Sequence, residues 1–204
     1  RTLPHKLSQS GPGLAVGDVN GDKLEDLVIG ASKGRQHTVL LQRRDGTFET
    51  RSLANPNPSA ETTGLLLFDA DMDKDLDLYV VSGGVEGDEN SDYADHLLYN
   101  DGDGKFYERA GALPDDFVSG SCVRAADFDS DGDLDLFLGN FADLRTWPGG
   151  DAAVFPDDFK GESNRLYRNN GNGTFTEISA QAGLAKTAFK TTAVTATDFN
   201  NLRD

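Results

Sequence analysis

Asp127, Asp129, Asp131, Asp133 and Asp135 take alternate positions in nine residues, and the apolar run "LFLG" follows at once. Like charges about 5 Å apart repel by roughly 1 kcal/mol per pair in water and by more at a protein surface. Such a stretch is either a solvated acidic turn or a cage around something positive. The pattern recurs at Asp18, Asn20, Asp22, Leu24 and Asp26, and at Asp69, Asp71, Asp73, Asp75 and Asp77. It begins again at Asp198, Asn200 and Asp204. Hard cations such as Ca2+ take six to eight oxygens at about 2.3–2.6 Å, and a tight loop meets that demand when oxygens recur at every second residue. With the first Asp as position 1, side-chain oxygens stand at positions 1, 3, 5 and 9 of each complete loop. Position 7 holds Leu24, Asp75 or Asp133. A Leu there can offer only its backbone carbonyl, so that role is expected of all three. One Ca2+ per complete loop is expected, with Gly21 and Gly132 easing the bend.

The competing ions and motifs fit less well. An EF-hand needs a bidentate Glu at position 12 and flanking helices, whereas position 12 is Ile29, Val80 or Leu138. Zn2+ calls for Cys or His, which the loops lack. Mg2+ prefers octahedral sites that keep several waters. Three loops in register, each with oxygens at matching positions, outweigh the solvated turn.

The flanking segments show what must hold these loops. "GLAVG", "GLLLF", "SCVRAA" and "TAVTAT" precede the four acidic stretches, and "DLVIG", "DLYVV" and "DLFLG" close the first three. Then come "HTVLLQRRDGTFET", "HLLYNDGDGKFYER" and "NRLYRNNGNGTFTEI", in which alternating apolar stretches flank a Gly-rich turn. That is a hairpin signal. The unit reads strand, acidic loop, strand, connector, strand, turn, strand, with no sustained helical period. Four-stranded antiparallel units repeated at this spacing are expected to be β-propeller blades. The whole chain, 1–204, reads as one partial all-β propeller domain, with blades at about 11–54, 61–113 and 119–184. Residues 190–204 open a fourth, so a fragment of a larger propeller is expected.

Composition sets the boundaries. Lys plus Arg total 19 against 35 Asp plus Glu, a formal charge of −16 over 204 residues. That charge opposes nucleic acid and anionic membrane surfaces. Sixteen of the 35 acids lie in the loops, including Asp198 and Asp204, so much of the charge is of a kind that bound metal would neutralise. No apolar run is long enough to span a membrane. Cys122 is the only cysteine, which rules out an internal disulfide. The chain starts at Arg1 without a signal region, as expected of a processed or excised piece.

At this point the units resemble FG-GAP/VCBS repeats, the blades of the integrin α-subunit propeller and of many secreted bacterial proteins. "NRLYRNNGNGTFTEISAQAGL" is similar to the ASPIC-type branch related to cartilage acidic protein. The resemblance implies Ca2+ held in a D-x-D/N-x-D-G-x-x-D loop between the first two strands of a blade. It also implies an extracellular, cell-surface or periplasmic setting and a role in binding or adhesion. The sequence departs from the pattern at Lys23 and Lys74, which replace the loop glycine, and at Leu202, which replaces an oxygen in the fourth loop. Ligand roles are therefore carried over fully to three loops.

Other candidates read as structural. His5, His37 and His96 are scattered, and "SGSC" at 119–122 lacks nucleophile-elbow spacing. "GDGKF" and "GNGTF" are hairpin turns rather than phosphate loops, and Asn172 lies in such a turn. The long connectors carry Tyr93, Trp147 and Phe155, expected on one rim of the propeller, where aromatics could contact a protein or glycan ligand. The leading expectation is a calcium-stabilised binding module. An enzyme on the same scaffold, such as a polysaccharide lyase, is the alternative, although no acid–base cluster stands out.

Overall fold

The computed structural model describes residues 12–83, 93–115, 117–141, 160–186 and 188–196. Three four-stranded antiparallel sheets follow one another along the chain. The first comprises β1 (Leu14–Gly17), β2 (Asp26–Ile29), β3 (His37–Gln42) and β4 (Phe48–Leu53), paired in that order. The second repeats it with β5 (Glu61–Phe68), β6 (Asp77–Gly83), β7 (His96–Asn100) and β8 (Phe106–Glu108). In the third, β9 (Gly120–Ala126) and β10 (Asp135–Asn140) are joined by β12 (Arg165–Asn169) and β13 (Phe175–Glu177). The connector before β12 carries β11 (Glu162–Ser163), which pairs with β14 (Ala188–Phe189). The helical content described is the 3-10 turn Leu184–Lys186 and a 3-10 residue at Tyr93. The chain therefore adopts the expected all-β architecture of propeller blades.

Register repeats as closely as sequence spacing. Phe48, Phe106 and Phe175, each just after a hairpin turn, stand opposite Gln42, Asn100 and Asn169. Leu27 pairs with Leu40, Leu78 with Leu98, and Leu136 with Tyr167. Because side chains alternate between faces, a one-residue slip would turn every apolar side chain to the wrong side.

The sheets stack face to face, and burial shows it. β2 alternates buried and half-buried residues, whereas every residue of β6 is buried. Leu78 and Val80 of β6 join Val28, Val39 and Leu41 in the core between the first two sheets. Tyr79 and Val81, on its other face, join Tyr99, Leu136, Leu138 and Tyr167 between the second and third. On the strands that start each sheet, Leu65 and Leu67 of β5 pack into the first core, and Val123 and Ala125 of β9 into the second. Their counterparts on β1, Leu14 and Val16, are 59% and 55% exposed. Near the far end of the described chain, Thr191 N–H donates to Asn140 O at 3.0 Å. Thr62 N–H makes the matching bond from the second sheet to Ala31 O of the first, at 2.9 Å.

Candidate metal centres

Each acidic loop joins the first two strands of its sheet and is wound by alternating backbone handedness. Positions 4 and 6 take positive φ in all three: Gly21 and Lys23, Met72 and Lys74, Ser130 and Gly132. This winding turns successive backbone N–H groups inward. The N–H of position 6 donates to the position-1 carboxylate from Lys23 to Asp18 (2.8 Å), Lys74 to Asp69 (3.0 Å) and Gly132 to Asp127 (3.1 Å). A left-handed Lys costs about 1 kcal/mol relative to glycine, so the departures from the family pattern at Lys23 and Lys74 leave the loop geometry unchanged at a modest energetic cost.

Position 9 anchors the loop. Asp26, Asp77 and Asp135 are at most 2% exposed. One carboxylate oxygen of each accepts from the position-2 N–H, of Val19, Ala70 or Phe128. The other accepts from the end of the third strand, from Gln42, Asn100 or Asn169. Desolvation raises all three pKa values, that of Asp77 to about 6. Buried carboxylates are costly unless a positive partner is near, and two backbone N–H groups offset only part of that cost.

Oxygens of Asp69, Asp71 and Asp77 lie within 4.8 Å of one another, as do those of Asp127, Asp129 and Asp135. Two oxygens touching one Ca2+ at about 2.4 Å lie no more than about 4.8 Å apart, so each trio fits a single ion. Oδ1 of Asp69 and Oδ1 of Asp71 are buried without a hydrogen-bond partner, as expected of oxygens that serve as ligands. Loop one has the same frame, with Asn20 in place of the middle acid; its Oδ1 accepts from Asp22 N–H at 3.1 Å.

The other expected positions have different partners. At position 5, Asp22, Asp73 and Asp131 each accept from the N–H of position 7 at 2.9–3.1 Å, which stiffens the loop and leaves one oxygen outside that bond. At position 7, the Asp75 carboxylate lies against its own hairpin turn, where a Cβ on Gly102 would come within 2.7 Å of Oδ2. Asp133 sits similarly beside Gly171 and is 6% exposed. Desolvation, with neighbouring Asp131 adding to it, raises its pKa to about 6. Leu24 has no such group. Asp198, Asn200 and Asp204 lie outside the described residues, as do Trp147 and Phe155. Tyr93, expected on the rim, is only 7% exposed, buried in the connector before β7.

The spacing of acids gave no hint of the residues that bolt one loop to the next blade. Asn100 Nδ2 donates to Leu76 O of its own loop and to Val19 O of the preceding loop, at 3.1 and 2.8 Å. Asn169 does the same to Leu134 O and Ala70 O, at 3.3 and 2.9 Å. Both are at most 3% exposed. The available signal was the alignment of Asn100 and Asn169, each six residues before the hairpin Phe. Three residues after that Phe, Arg51 and Arg109 reach the next blade's hairpin carbonyls, Asp103 O at 3.3 Å and Asn172 O at 3.4 Å.

Away from the loops, a cavity of about 190 Å³ is lined by His96, Glu108, Asp115 and Phe117, with His96 Nδ1 2.6 Å from Glu108 Oε1. Phe117 is 40% exposed. Among the described residues no helix is long and apolar enough to cross a membrane.

The FG-GAP-like repeat family matches residues 13–80 and 81–138. No curated protein matches the chain. Among solved structures it is similar to a lectin of Agrocybe aegerita described as recognising non-reducing terminal N-acetylglucosamine, with 19% identity and a TM-score of 0.49. That likeness covers 82% of this chain and 37% of the lectin chain, so this chain spans well under half of that length. With both segments matched over consecutive blades and acidic loops, the chain belongs to the FG-GAP-like repeat family.

Proposed function

We propose that this chain is part of a calcium-stabilised propeller that serves as an extracellular binding or adhesion module for a protein or glycan ligand, with Ca2+ structural rather than catalytic. The observation that carries the reading is the convergence of three carboxylates in each of loops two and three, with buried, unpartnered oxygens on Asp69 and Asp71 in the loop-two trio. Loop one would hold its ion with Asp18, Asn20 and Asp26, the amide oxygen of Asn20 acting as a neutral ligand. The free oxygens of Asp22, Asp73 and Asp131 and the carbonyls of Leu24, Asp75 and Asp133 would complete the shells. Asp198, Asn200 and Asp204 would form a fourth site of the same kind. A bound ion would relieve the desolvation of Asp26, Asp77 and Asp135 and clamp each blade's first two strands. Extracellular modules commonly hold Ca2+ with affinities of about 10⁻⁴–10⁻³ M, a range that suits sites built of Asp side chains on a rigid loop. The groove beside Phe117 and His96 offers the aromatic and polar surface a glycan or protein ligand would use.

Thermal unfolding in calcium and in excess EDTA tests the reading. At about 10 mM calcium, a hundredfold excess over a Kd of about 10⁻⁴ M, each site stabilises by about 2.7 kcal/mol, so three sites are expected to raise Tm by roughly 10 °C or more. An unchanged Tm would overturn the calcium assignment. For the ligand, glycan-array or pull-down binding without turnover is expected, and release of unsaturated sugar products would show a lyase instead.

A further inference from the structure

Arg109 touches a candidate ligand of loop two, and nothing equivalent is described at loops one or three. Its Nη2 donates to Asp71 Oδ2 at 3.0 Å, while Asp71 Oδ1 is left without a hydrogen-bond partner. The guanidinium is not a loose surface cation. Its Cζ stacks 3.7 Å from the centroid of Tyr99, a ring only 1% exposed, and Nη1 reaches Asn172 O of the next blade. Planar guanidinium stacked on an aromatic and bound on two edges holds its place, so its charge stays beside Asp71 whatever the loop binds. The matching Arg51 of the first blade, whose loop has neutral Asn20 at that position, pairs with Glu49 on its own strand, at 2.8 Å. In the third blade apolar Ile178 takes the equivalent position in the sequence. Arg168 lines the cavity next to Asp129 and Asp131, but no ion pair between them is described.

We propose that Arg109 is a built-in counter-ion that makes loop two the weaker calcium site and loop three the first to fill. This rests on the calcium reading above. With Arg109 in place, part of the repulsion in loop two is already relieved before metal arrives, so less is gained when it does. At the dielectric of water, one fixed positive charge a carboxylate away from a divalent ion lowers affinity about tenfold. Loop three, with five Asp and only the exposed Arg168 nearby, keeps more of its repulsion until an ion enters. Lys74, the other cation of loop two, is exposed and screened by solvent.

Two backbone amides report the two loops separately, because Lys74 N–H and Gly132 N–H each donate to the position-1 carboxylate. Calcium titration of the 15N-labelled protein, followed by NMR, is expected to move Gly132 at about tenfold lower calcium than Lys74. In Arg109→Met the Lys74 midpoint should fall towards that of Gly132, with Gly132 unmoved; Arg109→Lys, which keeps the charge, should preserve the wild-type order. The proposal is overturned if Lys74 titrates at or below Gly132 in the wild type. It is equally overturned if Arg109→Met leaves the Lys74 midpoint unchanged or raises it, since Arg109 would then only position Asp71. Should Arg109→Met fail to fold, the wild-type order decides. If neither amide responds to millimolar calcium while the spectrum stays folded, the calcium reading itself fails and this inference with it.

Discussion

The joint between the first and second sheets and the joint between the second and third share one plan and differ in chemistry. In both, an asparagine from the later blade spans two acidic loops, and an arginine from the earlier blade reaches a hairpin carbonyl of the later one. At the first joint, buried His37 meets Thr62 Oγ1 at 2.9 Å. The second joint adds charged and aromatic contacts. Arg109 bridges Asp71, Tyr99 and Asn172, and the Tyr99 hydroxyl donates to Gly173 O. Gly173 is packed so closely, at φ +77, that a Cβ would sit 2.9 Å from Asp71 Cβ. Where the first loop has Asn20, Arg51 pairs with Glu49 of its own strand; where the second has Asp71, Arg109 pairs with the loop. A repeat can thus keep its backbone joints constant while varying the electrostatics of each one.

The comparison can be broken most sharply at the asparagines. Asn100→Ala and Asn169→Ala each leave two carbonyls without their amide donor, at a cost of about 4 kcal/mol. Denaturant unfolding should show the two losses to be equal, and a gap of more than about 1 kcal/mol would mean the joints do not share a plan. Next in size is an effect confined to the first joint. Burial, with a smaller contribution from His96, lowers the His37 pKa to about 4 from 6.5. The unfolded chain takes up this proton as pH falls through 6.5, while the folded chain resists until about 4. The stability contribution is therefore complete above pH 6.5 and lost as pH falls towards 4, by up to about 3 kcal/mol. His37→Gln should flatten that part of the pH–stability curve, and an unchanged slope would remove His37 as its source.

A smaller contrast separates loops two and three at position 6. Lys74→Gly should stabilise by about 1 kcal/mol by relieving a left-handed side chain, and Gly132→Ala should destabilise by a similar amount. Opposite signs in calcium-saturated melting curves are expected, and matching signs would refute the shared loop geometry. The smallest effect belongs to Arg51→Met. Its ion pair with Glu49 is about 40% exposed on both sides, so no more than about 0.5 kcal/mol should be lost. A larger loss would erase the distinction between Arg51 and Arg109.

Much of this was legible from residues alone because it depends on local periodicity. Alternation with period two set the strands and register, and Phe48, Phe106 and Phe175 marked the same point of each hairpin. The acids at positions 1, 3 and 9 declared the loop. Less legible were residues whose partners are distant in sequence. Asn169 lies 99 residues from Ala70, and nothing local separates a bolt of this kind from an ordinary turn asparagine. Tyr93 was expected on a rim because its connector is long and polar, yet packing buried it. Gly21 and Gly132 announced their left-handed turns, whereas Lys23, Met72, Lys74 and Ser130 adopt the same backbone without a glycine to signal it.

By itself the sequence determined the unit of this protein: a strand, an oxygen-rich loop, a strand and a hairpin, repeated with one register. Side-chain alternation and loop spacing are local properties that survive without knowledge of neighbours. Only the tertiary structure decided which acids meet. Asp69, Asp71 and Asp77 converge because the loop winds left-handed at two positions, while Asp75 and Asp133 turn aside against their own hairpins. The fold of the second blade brings Arg109 to Asp71, and stacking against the third brings it to Asn172, because faces that a blade cannot bury within itself are buried against the next.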